Sequence, residues 1–372
     1  MSPSTEAIAA LLTAADRAPD GQAWQETFRH RFGALRESLP LHPSGHTPSA
    51  TFAAAATVAR SVAAQNLPLA IGLVMHLYPL CALRCVPLPW FSPARLQRSR
   101  LLHRIDHHSL ILANAGSERA AGAHSPVALT HTRGGVLVDG TYDYVSLAHV
   151  ADLVLFNAPL PNGSSLFCVA DMRRTSVRIG ESKFSGSMAL SDTCSVSFVR
   201  HLVPDERFIV IPDDRAMGCM GQYQRSWFQM LLSEAYLARI QTLQQRFDLP
   251  RAVEQLVSCN EMDCLQAYSR QLLDQATSPA AIASLARVTD TIKLRVSWLG
   301  QKTAEALRAH DEVAALELTF LRRQPTSDER ILRNIEALFA VQDPVPVSVG
   351  PRSKPVPSPA SDTAEGQYSL QT

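Results

Sequence analysis

The sequence predicts an α+β protein with a helical N-terminal domain, a central antiparallel β domain and a C-terminal four-helix bundle. The first 111 residues have helical periodicity and alanine-rich runs, residues 112–212 alternate apolar and polar side chains, and the helical period returns at residue 213. We therefore expect domains at 1–111, 112–212 and 213–342, followed by a tail at 343–372.

In the N-terminal domain, the runs TFAAAATVARSVAAQ and LQRSRLLHRI predict helices, and LHPSGHTP and PLPWFSP predict the breaks that separate them. The most apolar stretch, Leu67 to Leu83, is interrupted by His76 and Pro79. We expect it to form a buried pair of helices rather than a membrane span.

The central segment is rich in valine, threonine, tyrosine and phenylalanine, which are residues that favour strands. Gly134-Gly135, Asp139-Gly140 and Asn162-Gly163 predict hairpin turns within it. The pattern indicates a small antiparallel barrel or sandwich that ends near Pro212.

Four helical segments predict the bundle: SWFQMLLSEAYLARIQTLQQRF, AVEQLVSCNEMDCLQAYSRQLL, AAIASLARVTDTIKLRVSWLGQKTAEAL and DERILRNIEALFAV. The tail holds six of the 24 prolines. We expect it to be disordered, because such a composition cannot pack a core.

The composition is that of an ordinary globular protein, with 372 residues, 46% of them hydrophobic and 19% charged. The formal net charge is +1, which favours neither nucleic acid nor an anionic membrane as a partner. The N-terminus carries Glu6 and Asp16 and has no secretory pattern, so we expect a soluble, cytoplasmic protein.

The common site motifs are absent from the sequence. The seven cysteines do not have zinc-knuckle spacing and are expected to be buried free thiols. His103 and His107 in HRIDHH lie one helical turn apart, but a solvated helix face explains them better than a metal site. There is no G-x-S-x-G, Walker or G-x-G-x-x-G motif.

Three stretches resemble the middle domain of the acyl-CoA dehydrogenase family: ANAGSERAAGAH, VDGTYDYVSLAHVADLVLF and SMALSDTCSVSFVRHLVPDERF. The family counterparts read approximately T-E-P-G-A-G-S-D, N-G-x-K-x-W-I-T followed by A-D, and S-D-T-x-x-V-x-F-x-x-V-x-V-P. The order and spacing agree. The resemblance covers most of residues 50–340 and makes Ser191-Asp192-Thr193 the start of the strand that closes the β domain.

By this resemblance, FAD would lie between the β domain and the bundle, next to an acyl thioester on CoA or on an acyl carrier protein. Gly116, Ser117 and Gly122 would lie in the segment that approaches the flavin, although Ala123 and His124 replace the family's serine and aspartate. Tyr144 and Ser146 stand where the family places an aromatic wall and a hydroxyl. The resemblance also implies a homodimer or homotetramer.

The chain departs from the family at three places. Gln244 stands where the family has an arginine that pairs with the FAD pyrophosphate, so retention of FAD is in question. Gln324 stands where the commonest catalytic glutamate lies, and an amide is not a general base. The glycine-rich loop of the partner subunit has no counterpart. Glu234, on the first bundle helix, is an alternative candidate base, although a solvated face also explains it.

Three functions are compatible with these residues. The first is a flavoprotein that desaturates an acyl thioester between its α and β carbons. The second is a member of the same fold that binds an acyl thioester but has lost dehydrogenation. The third is a flavin monooxygenase, which needs no base because oxygen is activated at the flavin and no α-proton is removed.

Overall fold

The computed structural model describes residues 22–88, 93–115, 127–160, 165–184, 186–211, 214–249 and 253–323. Within these ranges the chain is mixed helix and sheet, as the sequence predicts. The tail at 343–372 and the helix predicted from DERILRNIEALFAV lie outside the described residues. The proposed domain boundaries stay a prediction.

Among the described residues, four helices precede the sheets: α1 (Gln22–Ser38), α2 (Pro48–Gln65), α3 (Leu67–Cys85) and α4 (Pro93–His107). Capping side chains fix where α2 and α3 begin. The amide of Ala50 donates to Thr47 Oγ1 at 3.1 Å, and the amide of Leu69 donates to Asn66 Oδ1 at 2.8 Å. A proline in the first turn of each helix adds to the start signal, because its missing N–H costs nothing there.

Helix α3 is long and apolar enough to cross a membrane by length and composition, but 89% of its most apolar window is buried inside the protein. The prediction of two helices in this stretch is wrong, because a single helix continues through Pro79. Its packing on neighbouring elements outweighs the hydrogen bond that the proline removes. His76 is buried as the neutral ring: Nδ1 accepts from the Leu112 amide at 3.0 Å, and Nε2 donates to the Leu41 carbonyl at 2.9 Å.

Two four-stranded sheets follow. The first has the order β1-β4-β5-β8 and the second β2-β3-β7-β6. Their bounds are β1 (Leu112–Asn114), β2 (Val127–Thr132), β3 (Gly135–Val145), β4 (Leu153–Pro159), β5 (Ser165–Asp171), β6 (Val177–Ser182), β7 (Cys194–Pro204) and β8 (Phe208–Ile211). The rings of Tyr142, Phe156 and Phe198 meet between the sheets, with centroids 5.3 to 6.4 Å apart. These rings belong to β3, β4 and β7, so they join the two sheets.

The β domain differs from the prediction in two respects. Strands β1 and β4 pair in parallel, because the chain passes through β2 and β3 of the other sheet before it returns. Gly134 (φ 86°) lies in the turn of the β2–β3 hairpin as expected, but Asp139-Gly140 lies within β3 at a register shift. There Asp139 Oδ1 accepts from the Arg200 amide at 2.7 Å, which holds a bulge rather than a turn. Asn162-Gly163 lies outside the described residues.

The C-terminal helices are α5 (Asp214–Arg246), α6 (Val253–Gln275), α7 (Pro279–Leu307) and α8 (Glu312–Arg323). Helix α5 packs against α7 on one side and against α2 and α3 on the other, so one apolar core joins the N-terminal helices to the bundle. Helix α8 was not predicted. The Ala314 amide donates to Asp311 Oδ1 at 3.0 Å, and this cap begins α8.

The cysteines and the α4 histidines have simple environments. Cys81, Cys168 and Cys194 are buried free thiols as predicted, whereas the free thiol of Cys264 is exposed. His103 and His107 are exposed and stack with ring centroids 5.8 Å apart.

Candidate functional site

The ends of β1 and β3 meet at one edge of the β domain. Ala115 forms an isolated antiparallel bridge with Val145, and the Ala115 amide donates to the Leu155 carbonyl at 2.8 Å. Ala115 therefore lies beside Val145, whose chain neighbours are Tyr144 and Ser146. The family resemblance predicts that Gly116, Ser117 and Gly122 lie near Tyr144 and Ser146; these three residues lie outside the described residues, so this stays a prediction.

A chain of three hydroxyl groups lies at this edge. Ser146 Oγ is 2.8 Å from Thr193 Oγ1, which is 2.9 Å from Ser191 Oγ. Ser191 Oγ donates to the Met188 carbonyl at 2.9 Å, and all three side chains are buried. Because Ser191 donates to the Met188 carbonyl, the chain of hydrogen bonds ends at that carbonyl. Each hydroxyl carries one proton, so Ser146 donates to Thr193 and its remaining lone pair can accept from a ligand.

The backbone around the hydroxyl chain is held in unusual conformations. Leu147 and Asp192 have φ values of 58° and 48°, in the left-handed region that costs energy for both residue types. The two segments bind each other: the Leu147 amide donates to the Ser191 carbonyl at 3.2 Å, and the Ala148 amide donates to the Asp192 carbonyl at 3.1 Å. Asp192 also accepts from the backbone amide and the ring of His149. These bonds fix the position of Ser146.

Tyr144 forms an exposed aromatic rim at the same edge. Its side chain is 59% exposed, which is unusual for a tyrosine in a strand. The Phe184 ring lies 6.4 Å away, and Lys183 Nζ lies 5.8 Å from the Tyr144 centroid. The rim therefore offers a flat aromatic surface to a ligand, and Lys183 beside it is already paired with Asp143 Oδ1 at 3.3 Å.

On the helical side, Tyr78 of α3 links the sheet to the bundle. Asn114, the last residue of β1, donates its side-chain amide to the Tyr78 hydroxyl. The Phe228 ring of α5 meets the Tyr78 ring edge-on at 5.2 Å. Burial raises the pKa of Tyr78 above its ordinary value, so the phenol stays protonated and can donate to a ligand.

Glu234 and Gln244 of α5 are both buried. Glu234 Oε2 accepts from Arg60 of α2 at 2.8 Å. At 100° per residue, Glu234 points about 120° away from Phe228 on the same helix. Gln244 Nε2 lies 3.5 Å from Thr303 Oγ1 of α7.

The prediction that Glu234 lies on a solvated helix face is therefore wrong, because its side chain is buried. The contact with Arg60 favours a structural ion pair. A catalytic role for Glu234 stays a prediction. Gln324 lies outside the described residues.

The sequence does not predict five residues of this site: Tyr78, Asn114, Ser191, Thr193 and Phe228. A tyrosine in the most apolar stretch of the chain was the available signal for Tyr78, because a buried hydroxyl needs a partner. The prediction that Ser191 and Thr193 begin the closing strand is wrong, since β7 begins at Cys194. Thr193 instead bonds Ser146, and Ser191 bonds Thr193.

The fold agrees with solved structures of flavoenzymes that have the acyl-CoA dehydrogenase fold. Methanesulfinate monooxygenase MsuC from Pseudomonas fluorescens is 17% identical, with a TM-score of 0.63 over 93% of this chain and 97% of that one. FMN-bound TdsC from Paenibacillus sp. A11-2 is 16% identical, with a TM-score of 0.61 over 92% and 93%. PigA with FAD and proline is 15% identical, with a TM-score of 0.62 over 92% and 98%.

No protein-family model matches the sequence, and no curated protein matches it. At these identities the structural likeness shows the fold alone: this chain has the acyl-CoA dehydrogenase fold.

Proposed function

We propose that this protein is a flavin-dependent monooxygenase, with the flavin bound at the edge formed by Ser146, Thr193 and Tyr144. The observation that carries the proposal is the chemistry of this edge. Buried hydroxyls lie beside an exposed aromatic ring, which suits the hydrogen-bonding rim and the flat face of an isoalloxazine ring. The similar structures support a flavin, because TdsC is FMN-bound and PigA was solved with FAD.

The surroundings of Glu234 favour oxygenation over thioester desaturation. Among the described residues, Glu234 was the candidate base, and its carboxylate is held by Arg60 on the face of α5 that meets α2. Removal of an α-proton requires a base within hydrogen-bond reach of the substrate. Oxygenation has no such requirement, and two of the similar proteins, MsuC and TdsC, are called monooxygenases.

The residues of this chain would bind and orient the reactants. Ser146 and Thr193 would hold the polar rim of the flavin, and Tyr144 would cover part of its face. Tyr78 and Phe228 would form the wall on the helix side and exclude water. Bound reduced flavin would supply two electrons to O2. The substrate would gain one oxygen atom, and the other would leave as water with the two hydrogens of the reduced flavin.

Gln244 bears on which flavin is bound. It is neutral and contacts Thr303, so it offers no charge to the pyrophosphate of FAD. We infer that FMN is bound at least as well as FAD.

An acyl-thioester dehydrogenase is the second candidate, and the sequence resemblance to the family favours it. The substrate would then be acyl-CoA or a thioester on an acyl carrier protein. The homodimer or homotetramer is likewise a proposal that rests on the resemblance. A member that binds an acyl thioester without oxidising it is the remaining alternative.

Two measurements on the purified protein separate these functions. Uptake of O2 in excess of free-flavin autoxidation, when reduced FMN and a candidate small molecule are supplied, supports the monooxygenase. Bleaching of bound oxidised flavin by an acyl thioester without oxygen supports the dehydrogenase and contradicts the proposal.

The site itself is tested by the double variant Tyr144→Ala/Ser146→Ala. We expect flavin affinity to fall about tenfold or more, because a hydrogen bond and an aromatic contact are lost together. The matched control is Thr141→Ala/Ser197→Ala, which removes an exposed hydroxyl pair 2.8 Å apart on β3 and β7 and should leave flavin affinity unchanged. Equal flavin affinities in both double variants would contradict the placement of the flavin.

A further inference from the structure

Three side chains that can bind a metal converge behind the hydroxyl chain. His149 Nδ1 lies 2.6 Å from Asp192 Oδ1 and 3.7 Å from Cys194 Sγ, and Sγ lies 4.0 Å from the same carboxylate oxygen. The three ligand atoms lie within 4.8 Å of one another. No other His/Cys/Asp/Glu group of this kind occurs among the described residues.

The cluster is enclosed by the protein. The side chains of His149 and Asp192 are each 7% exposed, and Cys194 is fully buried. Within the described part of the chain, the only ion pair of Asp192 is with His149. A buried carboxylate needs compensation, and here both of its oxygens accept hydrogen bonds from His149. A divalent cation would provide that compensation directly.

The secondary structure already holds the donor atoms. Cys194 begins β7 and pairs with Val145 of β3, so its position is fixed by the sheet. Asp192 is held by its backbone carbonyl, which accepts from Ala148, and by Oδ2, which accepts from the His149 amide at 2.8 Å. Only the His149 ring needs to move for the atoms to surround an ion.

The required movement is small. Zinc binds nitrogen and oxygen at about 2.0–2.2 Å and sulfur at about 2.3 Å in a tetrahedral arrangement, which places ligand atoms about 3.3–3.6 Å apart. The distances from Sγ to the other two atoms already lie near that range. The 2.6 Å hydrogen bond between His149 and Asp192 would lengthen by about 0.7 Å.

We propose that His149, Asp192 and Cys194 bind a divalent cation of the zinc type, a structural ion that locks the turn carrying Ser146. The ligand set of thiolate, imidazole and carboxylate fits zinc better than magnesium or calcium, which prefer oxygen alone. Asp192 Oδ2 keeps its bond from the His149 amide, and a water molecule would complete the tetrahedral coordination.

Proton release accompanies binding in this proposal. Cys194 would bind a cation as the thiolate, so its thiol proton must leave. The cation displaces that proton and frees Nδ1 by moving the ring proton to Nε2. No electron transfer is involved.

Cobalt titration of the full-length protein, stripped of metal with EDTA, tests the site without any flavin. We expect one equivalent of Co²⁺ to bind with a thiolate-to-cobalt charge-transfer band, and Zn²⁺ to displace it. Cys194→Ser should abolish the band, and His149→Gln should weaken binding at least tenfold. Two variants should behave as wild type: Cys168→Ser, a buried cysteine of β5, and His103→Gln, on the exposed α4 face.

Two results would overturn the proposal. The first is the absence of a charge-transfer band in the wild-type protein, which needs no variant to fold. The second is a band in Cys194→Ser as strong as in the wild type, since the thiolate would then come from another cysteine. Flavin binding is measured separately, so failure of the metal site and failure of the proposed function give different outcomes.

Discussion

Helix α3 lies against the site at Gly72. A Cβ atom at this position would lie 3.1 Å from Leu147 Cδ2, 3.1 Å from the Ser191 carbonyl oxygen and 3.4 Å from Ser191 Cα. The first neighbour is a flexible side chain, but the other two are backbone atoms. The same carbonyl accepts from the Leu147 amide, so it cannot retreat without weakening the bond that holds Ser146 in place.

The expected effect of Gly72→Ala is the difference of two opposing terms. Alanine is favoured over glycine inside a helix by about 1 kcal/mol. Overpacking of a close contact costs about 1–3 kcal/mol. We expect a net loss of about 1 kcal/mol, and a loss of flavin affinity of about fivefold because the hydroxyl chain is displaced.

The matched control is Gly33→Ala. Gly33 is an exposed glycine inside α1, and a Cβ atom there meets nothing within 4 Å. This variant should gain about 0.5–1 kcal/mol from helix propensity alone. Thermal unfolding of both variants gives the two shifts, and flavin titration gives the affinities. If Gly72→Ala is stabilised as much as Gly33→Ala and binds flavin normally, α3 does not position the site.

Two further predictions concern buried titratable groups. Burial lowers the pKa of His76 to about 3, and the charge of His42 is a smaller cause. Between pH 6.5 and 3, therefore, only the unfolded state binds this proton. The free energy of unfolding should decrease by up to about 1.4 kcal/mol for each unit by which the pH is lowered. The variant His76→Gln can still accept from Leu112 and donate to Leu41, so it should reduce this pH dependence of the free energy of unfolding. Unfolding measured at several pH values checks this, and an unchanged slope against pH would exclude His76 as the source. Glu234→Gln should cost about 1 kcal/mol, because Arg60 is 41% exposed and the pair is partly screened, and it should leave flavin-dependent turnover intact. If turnover instead falls about 100-fold while the unfolding midpoint is unchanged, Glu234 is a catalytic base. The control is Glu305→Gln, which loses an exposed contact to Lys302.

Local sequence patterns predicted the parts of the fold that depend on neighbouring residues. Glycine at position 134 predicts the hairpin turn, because glycine adopts a positive φ without cost. The structure shows this φ at 86°. Tyr144 and Ser146 were placed beside the segment that starts at Gly116 because the motif order matched a known family. Ala115, the last described residue before that segment, pairs with Val145, and the placement of the segment itself stays a prediction.

Contacts between distant segments could not be predicted in this way. Tyr78, Asn114 and Phe228 meet from three elements, and no local pattern records such a contact. The left-handed φ of Leu147 has no sequence signal either, because leucine disfavours that conformation and only the bonds to Ser191 and Asp192 impose it. For the same reason, the Arg60 partner of Glu234 became visible only in the structure.

Flavin titration of the purified protein tests the central claim most directly. FMN and FAD, oxidised and reduced, would be titrated while flavin fluorescence or absorbance is followed. The site at Ser146, Thr193 and Tyr144 predicts saturable binding of one flavin per chain, with FMN at least as tight as FAD, and weaker binding in Tyr144→Ala/Ser146→Ala. Absence of binding by either flavin in both redox states would contradict the assignment of this edge as a flavin site.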